Sequence, residues 1–144
     1  MGYRWNFFAL LLCGFFIPFD RAACSSSVCI SPYYGYMYQT CTDIRFSIKQ
    51  QIFVIPKGFK TDLASIPRVS WLFIAPAHSL LIKPSIIHDW LYQNGCIFER
   101  KKVDAIFYRM LIDNNVSFFK ASIMYYAVRI FGWKFYKKES CHAL

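Results

Sequence analysis

Hydrophobic periodicity changes once along this chain, and that change limits the fold more than any other feature. Between residues 33 and 55 the pattern repeats every second residue. Tyr34, Tyr36 and Tyr38 alternate with Gly35, Met37 and Gln39, and Ile44, Phe46 and Ile48 alternate with Arg45, Ser47 and Lys49. Period two marks a half-buried strand. Residues 51–55 continue it and stop at Pro56, Lys57 and Gly58, a turn signal. Two or three antiparallel strands are therefore expected, with Lys49-Gln50 at a turn. From Pro84 onward the spacing is helical. Pro84 suits a first helical position and Asn94-Gly95 a stop, which predicts a helix over 84–93. A second, over 100–114, carries Val103, Ile106, Phe107, Met110 and Leu111 on one stripe. A third, over 117–136, puts Phe119, Ile123, Ala127 and Ile130 on a common face, and its Lys120 and Arg129 argue against a membrane span. Residues 59–79 show neither period and read as an ordered loop with one short helical turn. Strands followed by helices give an α+β fold: a short antiparallel β ribbon and then a cluster of three helices in one small domain.

Length and composition agree. The 144 residues are 56% apolar and 20% aromatic, which excludes a disordered polymer. They also leave no room for a separate cofactor domain. A chain this long buries enough surface to fold without a metal or disulfide.

The N-terminus reads apart from this domain. Arg4 precedes an uncharged apolar run of 13 residues, 7–19, followed by Ala22, Ala23 and Ser25 to Ser27. The run is short for a bilayer span, which takes about 20 residues, and the pattern is that of a secretory signal. Residues 1–23 are expected to be a signal peptide, with an uncleaved anchor as the alternative, and residues 24–144 the single domain. The expected location is exported: periplasmic, envelope-associated or secreted. Cys24 after Ala22-Ala23 invites lipidation, which would leave Cys29, Cys41, Cys96 and Cys141 with three possible two-bridge connectivities. No Cys-x-x-Cys pair exists, so a zinc ribbon or a thioredoxin-like site has no support.

Charge points to anionic partners. Lys and Arg number 17 against 8 Asp and Glu, a net +9, and removal of residues 1–23 leaves the excess nearly intact. Lys134, Lys137 and Lys138 interleave with Trp133, Phe135 and Tyr136, a mixture that suits an anionic lipid or cell-envelope surface. Nucleic acid has the charge in its favour but no recognition motif.

Polar residues inside apolar helices carry the chemical signal. His88 and Asp89 interrupt a run of Ile, Trp and Leu, and Tyr92 follows four residues after His88, so the three project along one flank. Asp104 stands among Val103, Ala105, Ile106 and Phe107 on the next helix. The short connection makes the two helices antiparallel neighbours, so Asp104 can face His88. A carboxylate on one imidazole nitrogen leaves the other as a general base near neutral pH. Upstream, Thr61, Asp62 and Ser65 lie in the loop. Asp62 either caps a helical turn or joins Asp89 as a ligand for a hard cation such as Ca²⁺. A Ser65–His88–Asp triad lacks the glycines of a nucleophile elbow, and a metal phosphohydrolase using His78 lacks well-separated ligands.

The runs PKGFKTDLASIPR (56–68), HDWLY (88–92), VDAIF (103–107) and YAVRIFGW (126–133) together resemble a phage and prophage family known as domain-of-unknown-function family 1353. That resemblance implies phage ancestry in a bacterial setting and no particular activity. Locally, His88-Asp89-x-x-Tyr92 is similar to the catalytic helix of secreted and viral phospholipase A2 domains. By that resemblance His88 is the base for a water, Asp89 the calcium ligand, Tyr92 a supporting group and Asp104 the carboxylate that orients His88. The glycine-rich calcium loop of that family has no counterpart before His88, and Leu91 stands where secreted members carry a disulfide cysteine. Two functions stay open: a small exported hydrolase with a His88–Asp104 dyad, or a non-catalytic envelope-associated module in which these residues form a buried stabilising network.

Overall fold

The computed structural model describes residues 28–63 and 79–140. Five short strands precede three helices: β1 (Ile30–Pro32), β2 (Tyr38–Thr40), β3 (Ile44–Ile48), β4 (Gln51–Ile55), β5 (Lys60–Thr61), α1 (Ser79–Gln93), α2 (Arg100–Asp113) and α3 (Phe118–Phe131). A 3-10 turn over Gly132–Lys134 follows. The α+β expectation holds. The ribbon is split into two antiparallel sheets, β1-β2-β5 and the hairpin β3-β4.

The β3-β4 hairpin follows the alternation closely. Ile44, Phe46 and Ile48 are buried, as are Phe53 and Ile55 opposite them. Lys49 and Gln50 turn the chain with φ of 49° and 67°, the two positive values that a primed hairpin turn demands. The tyrosine alternation upstream means something else. The Tyr33 N–H donates to the Met37 carbonyl at 2.9 Å and the Met37 N–H to the Tyr34 carbonyl at 3.0 Å. Tyr34 and Tyr36 thus stand at a hairpin tip, 83% and 67% exposed, and Gly35 closes it at φ 58°. Only the last tyrosine, Tyr38, enters a strand. Thr40 then ties β2 to the chain that returns toward β5: its buried hydroxyl donates to the Pro56 carbonyl (2.9 Å) and accepts from the Phe59 N–H (3.0 Å).

Helix α1 starts a turn earlier than its proline indicated, so Pro84 lies inside it. A proline there removes the donor for the carbonyl four residues back. The structure supplies a substitute, because the Asn114 side-chain amide donates to the Leu80 carbonyl at 3.0 Å. Replacing Asn114 with Ala is expected to lower stability by about 0.5–1.5 kcal/mol, the net worth of one such bond; a denaturant titration showing no loss would remove this bond from the account.

α1 is also the centre of the molecule: every residue from 84 to 92 is buried. Phe46 and Phe53, stacked at 5.3 Å, meet Trp90 edge-on at 5.6 and 6.1 Å, joining the hairpin to the helix. On its other side α1 meets α2, where Val103, Asp104, Phe107 and Leu111 are buried. The face of α3 differs from the expected one. Ala121, Met124, Ala127 and Val128 point inward, whereas Phe119 and Ile130 are 72% and 60% exposed. Of the expected stripe Ala127 is buried and Ile123 half-buried, so the helix is turned partly away from that face. Among the described residues, no helix is long and apolar enough to cross a membrane. Residues 1–27, with the expected signal peptide and Cys24, lie outside the described residues; so do residues 64–78 of the expected 59–79 loop, whose described ends carry strand β5 and the start of α1.

Candidate active site

The antiparallel packing of α1 on α2 brings Asp104 against His88 and Tyr92. Asp104 is fully buried. Its Oδ1 accepts from Tyr92 Oη at 2.5 Å and lies 3.1 Å from His88 Nε2. Its Oδ2 accepts from Arg129 Nη1 of α3 at 2.7 Å, with Arg100 Nη1 further out at 3.9 Å. One carboxylate on α2 therefore gathers donors from α1 and α3. Burial alone would raise its pKa, but the bonds from His88, Tyr92 and Arg129 outweigh burial and hold it below 3.8, so Asp104 is an anion. Burial, followed by the bond to Asp104, pushes the Tyr92 hydroxyl well above its ordinary range, and Tyr92 is a fixed donor.

The other imidazole edge is open. Among the described residues His88 Nδ1 has no hydrogen-bond partner although it is buried, and Asp89 Oδ1 stands 3.9 Å away. With Nε2–H given to Asp104, the neutral ring keeps its lone pair on Nδ1. Burial works to lower the His88 pKa; the Asp104 bond and the carboxylate charges of Asp104 and Asp89 outweigh it and hold the pKa above 6.5.

His88 and Asp89 form one wall of a cavity of about 390 Å³. Lys60, Thr61 and Asp62 of β5 and the residue after it form another wall, and Gly132, Lys134, Phe135 and Lys137 a third. The Thr61 hydroxyl donates to Asp89 Oδ2 and accepts the Leu63 N–H at 3.0 Å. The strand thus locks the carboxylate beside the histidine. Asp62 is exposed at the same cavity. Among the described residues no three His, Cys, Asp or Glu converge as a metal-holding group. Asp89 and Asp62 nonetheless present two carboxylates to one space, oxygen donors of the kind a hard cation takes.

The pairing of His88, Tyr92 and Asp104 is as the sequence indicated. Arg129, in the sequence a charge against membrane insertion and a member of the 126–133 run, is the cation that neutralises Asp104. Its signal was its place as a basic residue in a helix otherwise rich in Ile, Val and Phe. Thr61 and Lys60 lay in what looked like a loop, and they are a strand. Ser65 and His78 lie outside the described residues.

Gly132 sets the fit of the tyrosine. A Cβ built there would lie 2.7 Å from Tyr92 Oη and 3.1 Å from Tyr92 Cε1, and Tyr92 is held on its other side by Asp104. Gly132→Ala is expected to displace the phenol and cost about 1–3 kcal/mol as overpacking. An unchanged melting temperature would show that Tyr92 has room to move.

Fold and site together define a small α+β domain in which a buried carboxylate anchors a histidine at a cavity wall. The chain belongs to the family described as Protein of unknown function (DUF1353), whose model matches residues 38–128. The match takes in His88, Tyr92 and Asp104 and stops one residue before Arg129. The chain is similar to two uncharacterized proteins of Sinorhizobium fredii (strain NBRC 101917 / NGR234). It is 34% identical to y4iH over 77 residues, 53% of this chain and 32% of the relative. It is 33% identical to y4jT over 79 residues, 54% of this chain and 23% of the relative. The matched region thus spans a third or less of either relative. No solved structure matches the chain.

Proposed function

We propose that this chain is a small exported ester hydrolase, acting on lipid at an anionic surface, with His88 as the general base. The observation that carries the reading is the asymmetry of the imidazole: Nε2 faces a buried anion, and Nδ1, at a cavity wall, has no partner among the described residues. Such a ring takes a proton from water at Nδ1 while Asp104 stabilises the imidazolium that forms. The water oxygen then attacks the ester carbonyl, and collapse of the tetrahedral species expels the alcohol, which recovers the proton from His88. Tyr92 and Arg129 keep Asp104 in place through the cycle. Asp89 and Asp62 would hold Ca²⁺, whose charge, when bound, supplies stabilisation for the developing oxyanion.

The outer surface supports the lipid. Phe119, Tyr126, Ile130 and Trp133 are exposed along one side of α3 and the turn after it, and Lys134, Lys137 and Lys138 are exposed beside them. Aromatic and cationic side chains together favour the headgroup region of an anionic bilayer, and Lys134, Phe135 and Lys137 of this same stretch line the cavity. The second reading, a phage-derived envelope module without turnover, is favoured by how fully Asp104 is satisfied, since such networks also serve packing alone.

Vesicles of phosphatidylglycerol separate the two. Incubated with the purified chain, they should release fatty acid, and chelation should slow the release if Asp89 and Asp62 hold calcium. Release that is indifferent to chelator would keep the base and discard the metal. A folded chain that binds these vesicles without any release would favour the module. The pH profile is a further check. Because the His88 pKa lies above 6.5 in the fold, the base form is lost as pH falls through that raised value. The acidic limb of kcat/KM should therefore be centred above 6.5, and a limb centred lower would remove His88 from the role.

A further inference from the structure

Two thiols face one another at the open end of the β1-β2 ladder. The Cys41 N–H donates to the Cys29 carbonyl at 3.0 Å, extending the register that pairs Ile30 with Thr40. Tyr33 and Met37, four residues further in along each side, also bond, with Tyr33 N–H as the donor. Cys29 and Cys41 are therefore a directly opposed, hydrogen-bonded pair, with Cα atoms about 5.5 Å apart in an ordinary ladder and side chains on one face of the sheet. A disulfide spans Cα separations of about 4.4–6.8 Å, a range that holds this spacing. The Cys41 thiol beside it, followed by burial, raises the Cys29 pKa. Both are free thiols here, Cys29 exposed and Cys41 half-buried. Cys96, by contrast, is disulfide-bonded.

We infer that Cys29 and Cys41 form a cross-strand disulfide by exchange with a disulfide oxidant such as glutathione disulfide or an oxidoreductase of the cell envelope. The Cys29 thiolate attacks a sulfur of the oxidant, which releases one thiol and leaves a mixed disulfide. The Cys41 thiolate then attacks Cys29 Sγ, forming the Sγ–Sγ bond and expelling the second thiol. Two electrons and two protons pass to the oxidant. The bridge fastens β1 to β2, and β2 carries β5 on its other edge, pairing Tyr38 with Thr61 and Gln39 with Lys60. It therefore staples the sheet whose far strand seats Thr61 against Asp89.

The test equilibrates the full chain in a glutathione buffer rich in the disulfide form, blocks remaining thiols, and digests without reduction for mass spectrometry. The expected product is a peptide pair joined through Cys29 and Cys41, lighter by two hydrogens and released by dithiothreitol. The oxidised chain should also melt about 5–10 °C above a Cys29→Ser/Cys41→Ser variant treated identically, which keeps the Cys96 bridge. Blocking reagent or glutathione on both residues, or either residue joined to a different cysteine, would overturn the assignment.

Discussion

Asp104→Ala should lower the stability of the fold by about 3–5 kcal/mol, the usual cost of removing one partner from a buried charged network. Three donors lose their acceptor together: Tyr92 Oη, His88 Nε2 and Arg129 Nη1 all bond this one carboxylate. His88 and Tyr92 are 3% and 4% exposed, so water does not simply replace it. The expected fall in melting temperature is about 10 °C or more. Asp104→Asn keeps the volume and one acceptor oxygen but loses the charge, and it should fall between Ala and the parent. The parent network also has a pH sense. The depressed Asp104 pKa adds stability above 3.8 that is lost as pH falls through its lower folded value; the raised His88 pKa adds stability below 6.5 that is lost as pH rises through its higher one. In Asp104→Ala both dependences should flatten. A loss under about 1 kcal/mol would mean that the three helices do not depend on this carboxylate.

His88→Gln separates chemistry from packing. Glutamine can still donate to Asp104, so the fold should lose only about 1–2 kcal/mol, the worth of a strained or missing bond. It has no basic nitrogen, and ester hydrolysis should fall by about 10²–10⁴-fold, the span of general base catalysis. The loss should appear in kcat with vesicle binding unchanged, because the exposed aromatic and lysine residues that would meet the surface are kept. Equal turnover in parent and variant would end the assignment of His88 as base, and a large stability loss with no turnover in either would establish the stabilising module.

The sequence disclosed the parts that local spacing controls. Alternation at residues 44–55 located the β3-β4 hairpin and its turn, and the lone polar residues of α1 and α2 named His88, Tyr92 and Asp104 before any contact was known. What it did not disclose depends on which surfaces meet. Tyr34, Tyr36 and Tyr38 alternate as a strand does, yet a positive φ at Gly35 makes the first two a hairpin tip. Phe119, Ile123, Ala127 and Ile130 form a convincing stripe, but α3 is turned so that Ala121, Met124 and Val128 join Ala127 inside while Phe119 and Ile130 face out. Arg129 joined the site only because of that rotation. Pro84 resembled a helix start because its missing donor is usually harmless only there, and the compensating Asn114 lies 30 residues away.

The enclosure of α1 has an evolutionary consequence. The residues that would perform chemistry sit on the one helix buried along the whole stretch from 84 to 92, where most replacements disturb several neighbours at once. The cavity rim is built differently, from exposed Lys60, Lys134, Phe135 and Lys137, on a short strand and a tail. Drift at the rim leaves the interior untouched. Descendants of such a chain can therefore change what they recognise in small viable steps, whereas the reaction itself is inherited whole or lost.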